Sequence, residues 1–239
     1  MPNHLDRVDA VLFDAGFTLL EPVRAVGDVY YEKALTYASD LDHEAFHAHL
    51  KHLWSKLRDD YRSREPELRS SEELERAAWR DFSAEVARPF PSLFNSHLDW
   101  LSELINHFDH PRAWKPIAGA PELLSALRAK GLRVGIVSNW HSALHEILRG
   151  HDITPHCEFI AISSEVGRKK PHPEIFAHAI QSLQIPVDRI AHVGDSWDED
   201  IVGAMNAGLR PIYFSPSGTC PEARPPVPVI KSLFELLDS

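Results

Sequence analysis

Apolar positions along this chain follow two rhythms. Near the N-terminus, Val8-Asp9-Ala10-Val11-Leu12-Phe13 is a short apolar run with turn residues behind it, the pattern of a strand buried on both faces. From Pro22 to about His110 the period becomes helical. Val26, Tyr30, Ala34 and Tyr37 share one face, as do Phe46, Leu50, Leu53 and Leu57, then Leu74, Ala78 and Phe82, then Leu98, Leu101, Ile105 and Phe108. Amphipathic helices in succession with no strand between them predict a separate helical layer.

After Pro116 helix and strand alternate. Helices are predicted over 121–130, closed by Gly131, and over 142–148, 173–183 and 198–207, the last stopped by Gly208. Strands are predicted over 132–137, 159–162, 189–193 and 209–214, followed by a proline-rich loop over 215–228 and a closing helix over 232–237. This alternation implies an α/β fold, a doubly wound parallel sheet of Rossmann-like type with helices on both faces. Residues 1–20 and 112–239 are expected to form the α/β core, and 21–111 an all-helical inserted domain. The expected hinges are Glu21-Pro22 and the stretch from Asp109-His110-Pro111 to Pro116.

Composition narrows the partners. The chain has 239 residues, 44% hydrophobic and 25% charged, with a net charge of −10, which is ordinary for a globular protein. Backbone phosphates are held by clustered Lys and Arg, so this acidic balance argues against a nucleic-acid surface. No apolar run approaches the ~20 residues that span a bilayer, so no membrane partner is expected. Cys157 and Cys220 lack metal-type spacing and are read as free thiols, which with the absence of a leader-like N-terminus makes the cytoplasm the expected compartment.

Polar residues gather at the predicted strand ends. The first strand ends in Asp14, the second in Ser138-Asn139, and the fourth in Gly194-Asp195-Ser196, while Lys170 lies in the loop Gly167-Arg168-Lys169-Lys170-Pro171. Strand ends of an open α/β sheet face the ligand crevice. Taken one at a time, each of these residues has a plain structural use, as a helix cap, a turn or a surface lysine. Together they suit phosphoryl transfer. Mg²⁺ takes hard oxygen ligands and is typically held by one or two carboxylates, as Asp14 and Asp195 would supply. Asp14 is the expected nucleophile, and Ser138, Lys170 and the backbone around Asn139 the expected stabilisers of phosphoryl oxygens. Asp200 is expected to orient Lys170 or metal-bound water. The expected ligand is a small phosphorylated molecule.

These residues carry a resemblance to the haloacid dehalogenase-like hydrolase superfamily. Phe13-Asp14-Ala15-Gly16-Phe17-Thr18-Leu19 is similar to its first motif, Val137-Ser138-Asn139 to its second, Lys170-Pro171 to its third, and Gly194-Asp195 through Asp200 to its fourth. The resemblance implies that the helical insertion is a cap which closes over the site and selects substrates. It also implies a role for the carbonyl of Gly16 as a metal ligand beside Asp14 and Asp195. One departure matters. Family phosphatases usually carry a second aspartate two residues after the nucleophile, as general acid and base, and here that residue is Gly16. General acid–base help is worth ~10²–10⁴-fold, so alkyl phosphates should turn over slowly, and Gly16→Asp is expected to raise that turnover.

Other readings remain. A catalytically impaired relative would bind a phosphorylated ligand or a partner without turning it over. The superfamily also contains dehalogenases and phosphonate-cleaving enzymes that lack the second aspartate. The metal-binding Asp195 argues against the former, and the latter would need a cap lysine such as Lys33, Lys51 or Lys56. His43-Glu44-Ala45-Phe46-His47 matches the H-E-x-x-H zinc pattern, with Glu72 or Glu75 as a third ligand. Against this metallopeptidase reading, the chain holds 15 histidines, and His47, His49 and His52 read as a solvated face. Trp54, Arg58, Tyr61 and Trp79 are candidates for the cap's entrance, though aromatics at helical spacing are more often core.

Overall fold

A computed structural model describes residues 4–63, 68–221 and 225–237, without the side chains of 58–63. Six parallel strands make the main sheet: β1 (Ala10–Phe13), β4 (Arg133–Ser138), β5 (Phe159–Ile162), β6 (Ile190–Gly194), β7 (Arg210–Phe214) and β8 (Val229–Ile230), in the order β5-β4-β1-β6-β7-β8. The chain winds outward from β1 through β4 to β5, then returns to place β6 on the other side of β1. Asp14 and Asp195 thus follow the two strands that flank the reversal point, where doubly wound sheets bind ligands.

The period of two in β1 sorts its residues between the two faces. Val11 and Phe13 join Leu123, Leu124, Ile147 and Leu236 on one side, while Ala10 and Leu12 join Ile175, Phe176 and Ala204 on the other. One face is therefore covered by α6 (Ala120–Ala129) and α7 (Leu144–Gly150), the other by α9 (Pro173–Leu183) and α10 (Val202–Asn206). All four β1 residues are buried, which is why this strand reads as continuously apolar.

The helical segment contains α1 (Val26–Ala34), α2 (His43–Ser63), α3 (Glu72–Ala87), α4 (Pro91–Asn95) and α5 (His97–Phe108), with its own core of Tyr30, Phe46, Leu50, Phe82, Trp100 and Leu104. Some faces differ from expectation. In α5 the buried residues are Trp100, Leu101 and Leu104, whereas Leu98 is 51% exposed. The bulk of Trp100 and its indole hydrogen bond to the carbonyl of Tyr30 (3.2 Å) set the helix rotation. Trp54 and Trp79 pack on each other and on Phe82, so they build this core. Arg58 and Tyr61 have side chains outside the described residues.

Short elements escape the periodicity. The hinges form an antiparallel ribbon, β2 (Leu20–Pro22) with β3 (Trp114–Pro116), too short to show alternation. The expected helix 198–207 starts as a π-turn over Trp197–Ile201 before α10, and the closing helix is a 3₁₀ turn over Leu233–Leu236. The remaining helix, α8 (Ser163–Val166), follows β5 directly. Cys157 and Cys220 are free thiols, and among the described residues no helix is long and apolar enough to cross a membrane.

Candidate active site

Asp14 is 8% exposed at the end of β1. Its Oδ1 accepts hydrogen bonds from Ser138 Oγ (2.9 Å) and Lys170 Nζ (2.6 Å). Lys170 is 1% exposed and also donates to Asp200 Oδ1 (2.6 Å). Three residues far apart in sequence thus meet at one carboxylate.

The loop that delivers Lys170 is held by Asn139, which clamps that residue's backbone from both sides. Asn139 Oδ1 accepts from the Lys170 N–H (2.6 Å), and Asn139 Nδ2 donates to the Lys170 carbonyl (3.0 Å) and to Glu199 (2.8 Å). The Asn139 carboxamide thus positions the lysine, while the phosphoryl role was expected of the backbone around it.

Asp200 is likewise a positioning group. Its Oδ1 accepts from Lys170 and from His192 Nε2 (2.9 Å), and its Oδ2 from the Ser196 N–H (3.0 Å). The π-turn makes this possible by swinging Asp200 back beneath β6, a widened turn of the type that recurs at functional sites. Gly194 is its counterpart, since a Cβ there would lie 2.2 Å from Asp200 Cγ. Capping falls to Ser196, whose side chain accepts from the Glu199 N–H. Asp195 is therefore not needed as the cap, and its Oδ1 accepts from Thr18 Oγ1 (3.2 Å).

Charge is unevenly shared. Burial alone would push every carboxyl here upward. In Asp200 the Lys170 charge and the His192 hydrogen bond reverse that and bring it down to about 2. Lys170, despite its burial, is raised by Asp14 and Asp200. Asp200 and Lys170 thus form a standing ion pair. Burial and the Asp200 charge leave Asp14 raised, while burial and its two aspartate neighbours push Asp195 up to about 8. Burial likewise lifts Glu199 to about 7.

The donor set fits a hard cation. Oxygens of Asp14, Asp195 and Asp200 lie within 4.8 Å of one another, and of these three Asp14 and Asp195 are held above their usual range by burial and neighbouring aspartate charge. The Gly16–Leu20 bridge runs through the Leu20 N–H to the Ala15 carbonyl and the Phe17 N–H to the Leu20 carbonyl. It leaves the Gly16 carbonyl unused, as a ligand role requires.

Position 16 holds the main revision. A Cβ on Gly16 would sit 3.0 Å from Trp140 Cζ3. Trp140 would have to give by a few tenths of an ångström to admit an aspartate, a cost that stands against the gain expected of Gly16→Asp. Glu199 and His192 also belong to the site and were not expected. Glu199 had no signal beyond its place between Asp195 and Asp200, and His192 sat unremarked within an apolar strand.

The helical segment meets this site through a strap. Leu68 and Ser70 pair by backbone with Lys169 and Gly167, the Lys169 N–H donating to Leu68 O (2.8 Å) and the Ser70 N–H to Gly167 O (3.1 Å). Glu75 bonds Lys169 Nζ (2.8 Å) and Ser70 Oγ (2.7 Å). Glu72 accepts from the Ser142 N–H and Ser164 Oγ (both 2.7 Å). Both glutamates proposed as a third zinc ligand are thus engaged at the seam with the core. His43 and Glu44 are exposed on α2, and the His47 ring faces Asp28 at 3.7 Å. Among the described residues the only metal-type cluster is Asp14, Asp195 and Asp200. Of the lysines considered for imine chemistry, Lys51 and Lys56 are exposed and Lys33 faces Glu103 at 3.7 Å.

The chain is similar to several known proteins. A protein of Danio rerio described as haloacid dehalogenase-like hydrolase domain-containing protein 3 is 29% identical over 210 residues, 84% of this chain and 82% of its own length. The pyrimidine 5'-nucleotidase YjjG of Escherichia coli is 35% identical over 124 residues, 51% of this chain and 55% of the enzyme, a likeness confined to about half of each. The bovine domain-containing protein 3 is matched over 43% of its length. The HAD-hydrolase YfnB of Bacillus subtilis, solved bound to magnesium, superposes with a TM-score of 0.70 at 22% identity, over 97% of this chain and 98% of that one. The family model for haloacid dehalogenase-like hydrolases matches residues 8–208, and the chain belongs to that hydrolase family.

Proposed function

We propose that this protein is a Mg²⁺-dependent phosphoric monoester hydrolase acting on a small phosphorylated metabolite through Asp14. The observation that carries this reading is the meeting of Asp14, Ser138, Lys170 and Asp195 at the reversal point of the sheet. The nucleotidase activity of the Escherichia coli relative supports the same class.

Asp14, the Gly16 carbonyl and Asp195 would hold the cation, which when bound offsets the repulsion between a carboxylate nucleophile and an anionic phosphoryl group. Asp14 Oδ1 is anchored by Ser138 and Lys170, so Oδ2 is the oxygen left to attack phosphorus. Attack forms an aspartyl-phosphate as the bond to the leaving oxygen breaks. Lys170 neutralises charge on the phosphoryl oxygens, and Ser138 turns its one hydroxyl proton from Asp14 Oδ1 to one of them as the phosphoryl group arrives. Water then cleaves the acyl phosphate and restores Asp14. Asp200 and Asn139 hold Lys170 in place.

The test is release of phosphate from acetyl phosphate with and without Mg²⁺. Wild type is expected to show Mg²⁺-stimulated release, and Asp14→Asn to fall to background. If wild type releases none but binds beryllium fluoride in a Mg²⁺-dependent way, the protein is a ligand-binding relative without turnover.

A further inference from the structure

The three residues that follow Asp14 are apolar. The turn after Asp14 offers Ala15, Gly16 and Phe17, none of which carries a proton donor on its side chain. The Trp140 ring covers Gly16, with Cζ3, Cε3 and Cη2 within 3.0, 3.8 and 3.9 Å of where a Cβ would stand. That indole is itself fixed. It packs edge-on against Trp114 of the β2–β3 ribbon at 4.8 Å between ring centroids, and the backbone N–H of Trp140 donates to Ser163 Oγ (3.1 Å). It follows Ser138, whose hydroxyl holds Asp14, by two residues. Phe17 follows Gly16 in the same turn. Its backbone lies in the left-handed region at φ +58 and its side chain is 52% exposed. A bulky residue seldom adopts that conformation, and an outlier of this kind beside a nucleophile is a pointer to use.

The donors that reach Asp14, Ser138 and Lys170, both bond Oδ1, the carboxylate oxygen opposite the one left to attack. From this we infer that Trp140 and Phe17 form an aromatic subsite for the leaving group, and that the monoesters turned over are aryl phosphates. The inference rests on the phosphatase reading above and names its substrate class. Asp14 Oδ2 forms its bond to phosphorus while the bond from phosphorus to the aryl oxygen breaks. The electron pair leaves on the phenolate, which the ring stabilises and bulk water protonates, so no acid is required of the protein. Offset or edge-on contact with the indole holds the departing ring.

The test is a leaving-group series on the wild-type protein with Mg²⁺: substituted phenyl phosphates of graded phenol acidity, butyl phosphate, and acetyl phosphate as a small non-aromatic control. The expected result is a kcat/KM that falls steeply as the phenol becomes less acidic, with butyl phosphate below phenyl phosphate by on the order of 10²-fold or more, the factor a general acid would otherwise supply. Trp140→Leu is expected to lower the ratio of phenyl to acetyl phosphate kcat/KM by on the order of tenfold, and Gly16→Asp alone not to raise butyl phosphate turnover. Hydrolysis of butyl phosphate within about tenfold of phenyl phosphate would overturn the inference and leave the phosphatase reading standing, with Glu199 the first group to try as the acid. Asp14-dependent hydrolysis of acetyl phosphate with no aryl phosphate turned over would also overturn it alone. No hydrolysis of any of the three classes would overturn both.

Discussion

Two stretches of this chain spell out metal-binding patterns, and the fold treats them differently. His43, Glu44 and His47 sit within one helical turn of α2, close in sequence and in space, with ring centroids of the two histidines 4.3 Å apart. Both rings pack on Tyr31, His47 also faces Asp28, and the glutamates that would complete a zinc site are engaged at the seam with the core. Asp14, Asp195 and Lys170 are far apart in sequence, yet Lys170 bonds Asp14, and the Asp195 carboxylate lies within 4.8 Å of that of Asp14. Local spacing is cheap, because any helix puts residues i and i+4 on one face. Convergence from several strand ends is costly in desolvation, and persists only where the groups satisfy one another.

The most severe test of that contrast is Lys170→Met. It removes the shared partner of Asp14 and Asp200 at a site where Lys170 is 1% exposed. Breaking a buried pair in this way costs about 3–5 kcal/mol, and loss of a charge stabiliser costs on the order of 10²–10³-fold in kcat. Denaturant unfolding and phosphate release read the two effects separately. A stability change below about 1 kcal/mol would mean that the cluster is no tighter than a surface ion pair.

A smaller effect is expected from Gly194→Ala, which drives a methyl into Asp200 Cγ at 2.2 Å. Overpacking of this sort costs about 1–3 kcal/mol. Displacement of Asp200 should lower activity through Lys170, visible as a fall in kcat.

Proton and metal compete at Asp195. Its carboxyl, pushed up to about 8 by burial and by Asp14 and Asp200, has a folded pKa above the unfolded one. It therefore binds more protons folded than unfolded, and the stability this gives is lost as pH rises from the model-peptide range toward about 8. In thermal melts with Mg²⁺ absent, stability should decline over that window. The stabilisation gained on adding Mg²⁺ should grow over the same window, as the ligand ionises. Asp195→Asn should weaken the first trend, which Glu199, raised to about 7, still sustains, and remove most of the second, and a Mg²⁺ shift that ignores pH would place the cation elsewhere.

The least effect is expected on the other side of the comparison. His43→Ala with His47→Ala should change stability by less than about 1 kcal/mol and leave Mg²⁺-dependent phosphate release unaltered. Stoichiometric zinc retained by wild type and lost in that variant would reverse the contrast.

Much of the architecture was legible in the sequence because burial writes itself into periodicity. β1 is apolar throughout since both its faces are covered, and α2 shows Phe46, Leu50 and Leu53 because one face is. The motif residues stood out because polar groups at the ends of apolar strands are rare without a use. Illegible were the elements whose identity depends on a distant partner. The β2–β3 ribbon is three residues wide, the π-turn at Trp197–Ile201 exists to swing Asp200 beneath Gly194, and the strap at Leu68–Ser70 is defined by the loop it pairs with.

By itself, then, the sequence determined the layered α/β architecture and the set of residues at the crevice, since both follow from which side chains avoid water. Only the tertiary structure decided their duties. Asn139 became a clamp on Lys170 and Asp200 its counter-charge, because each found its partners across the crevice. Gly16 is glycine beneath Trp140, whose ring lies 3.0 Å from the missing Cβ. Contact between residues more than a hundred positions apart is fixed by packing and desolvation in three dimensions, which no local pattern encodes.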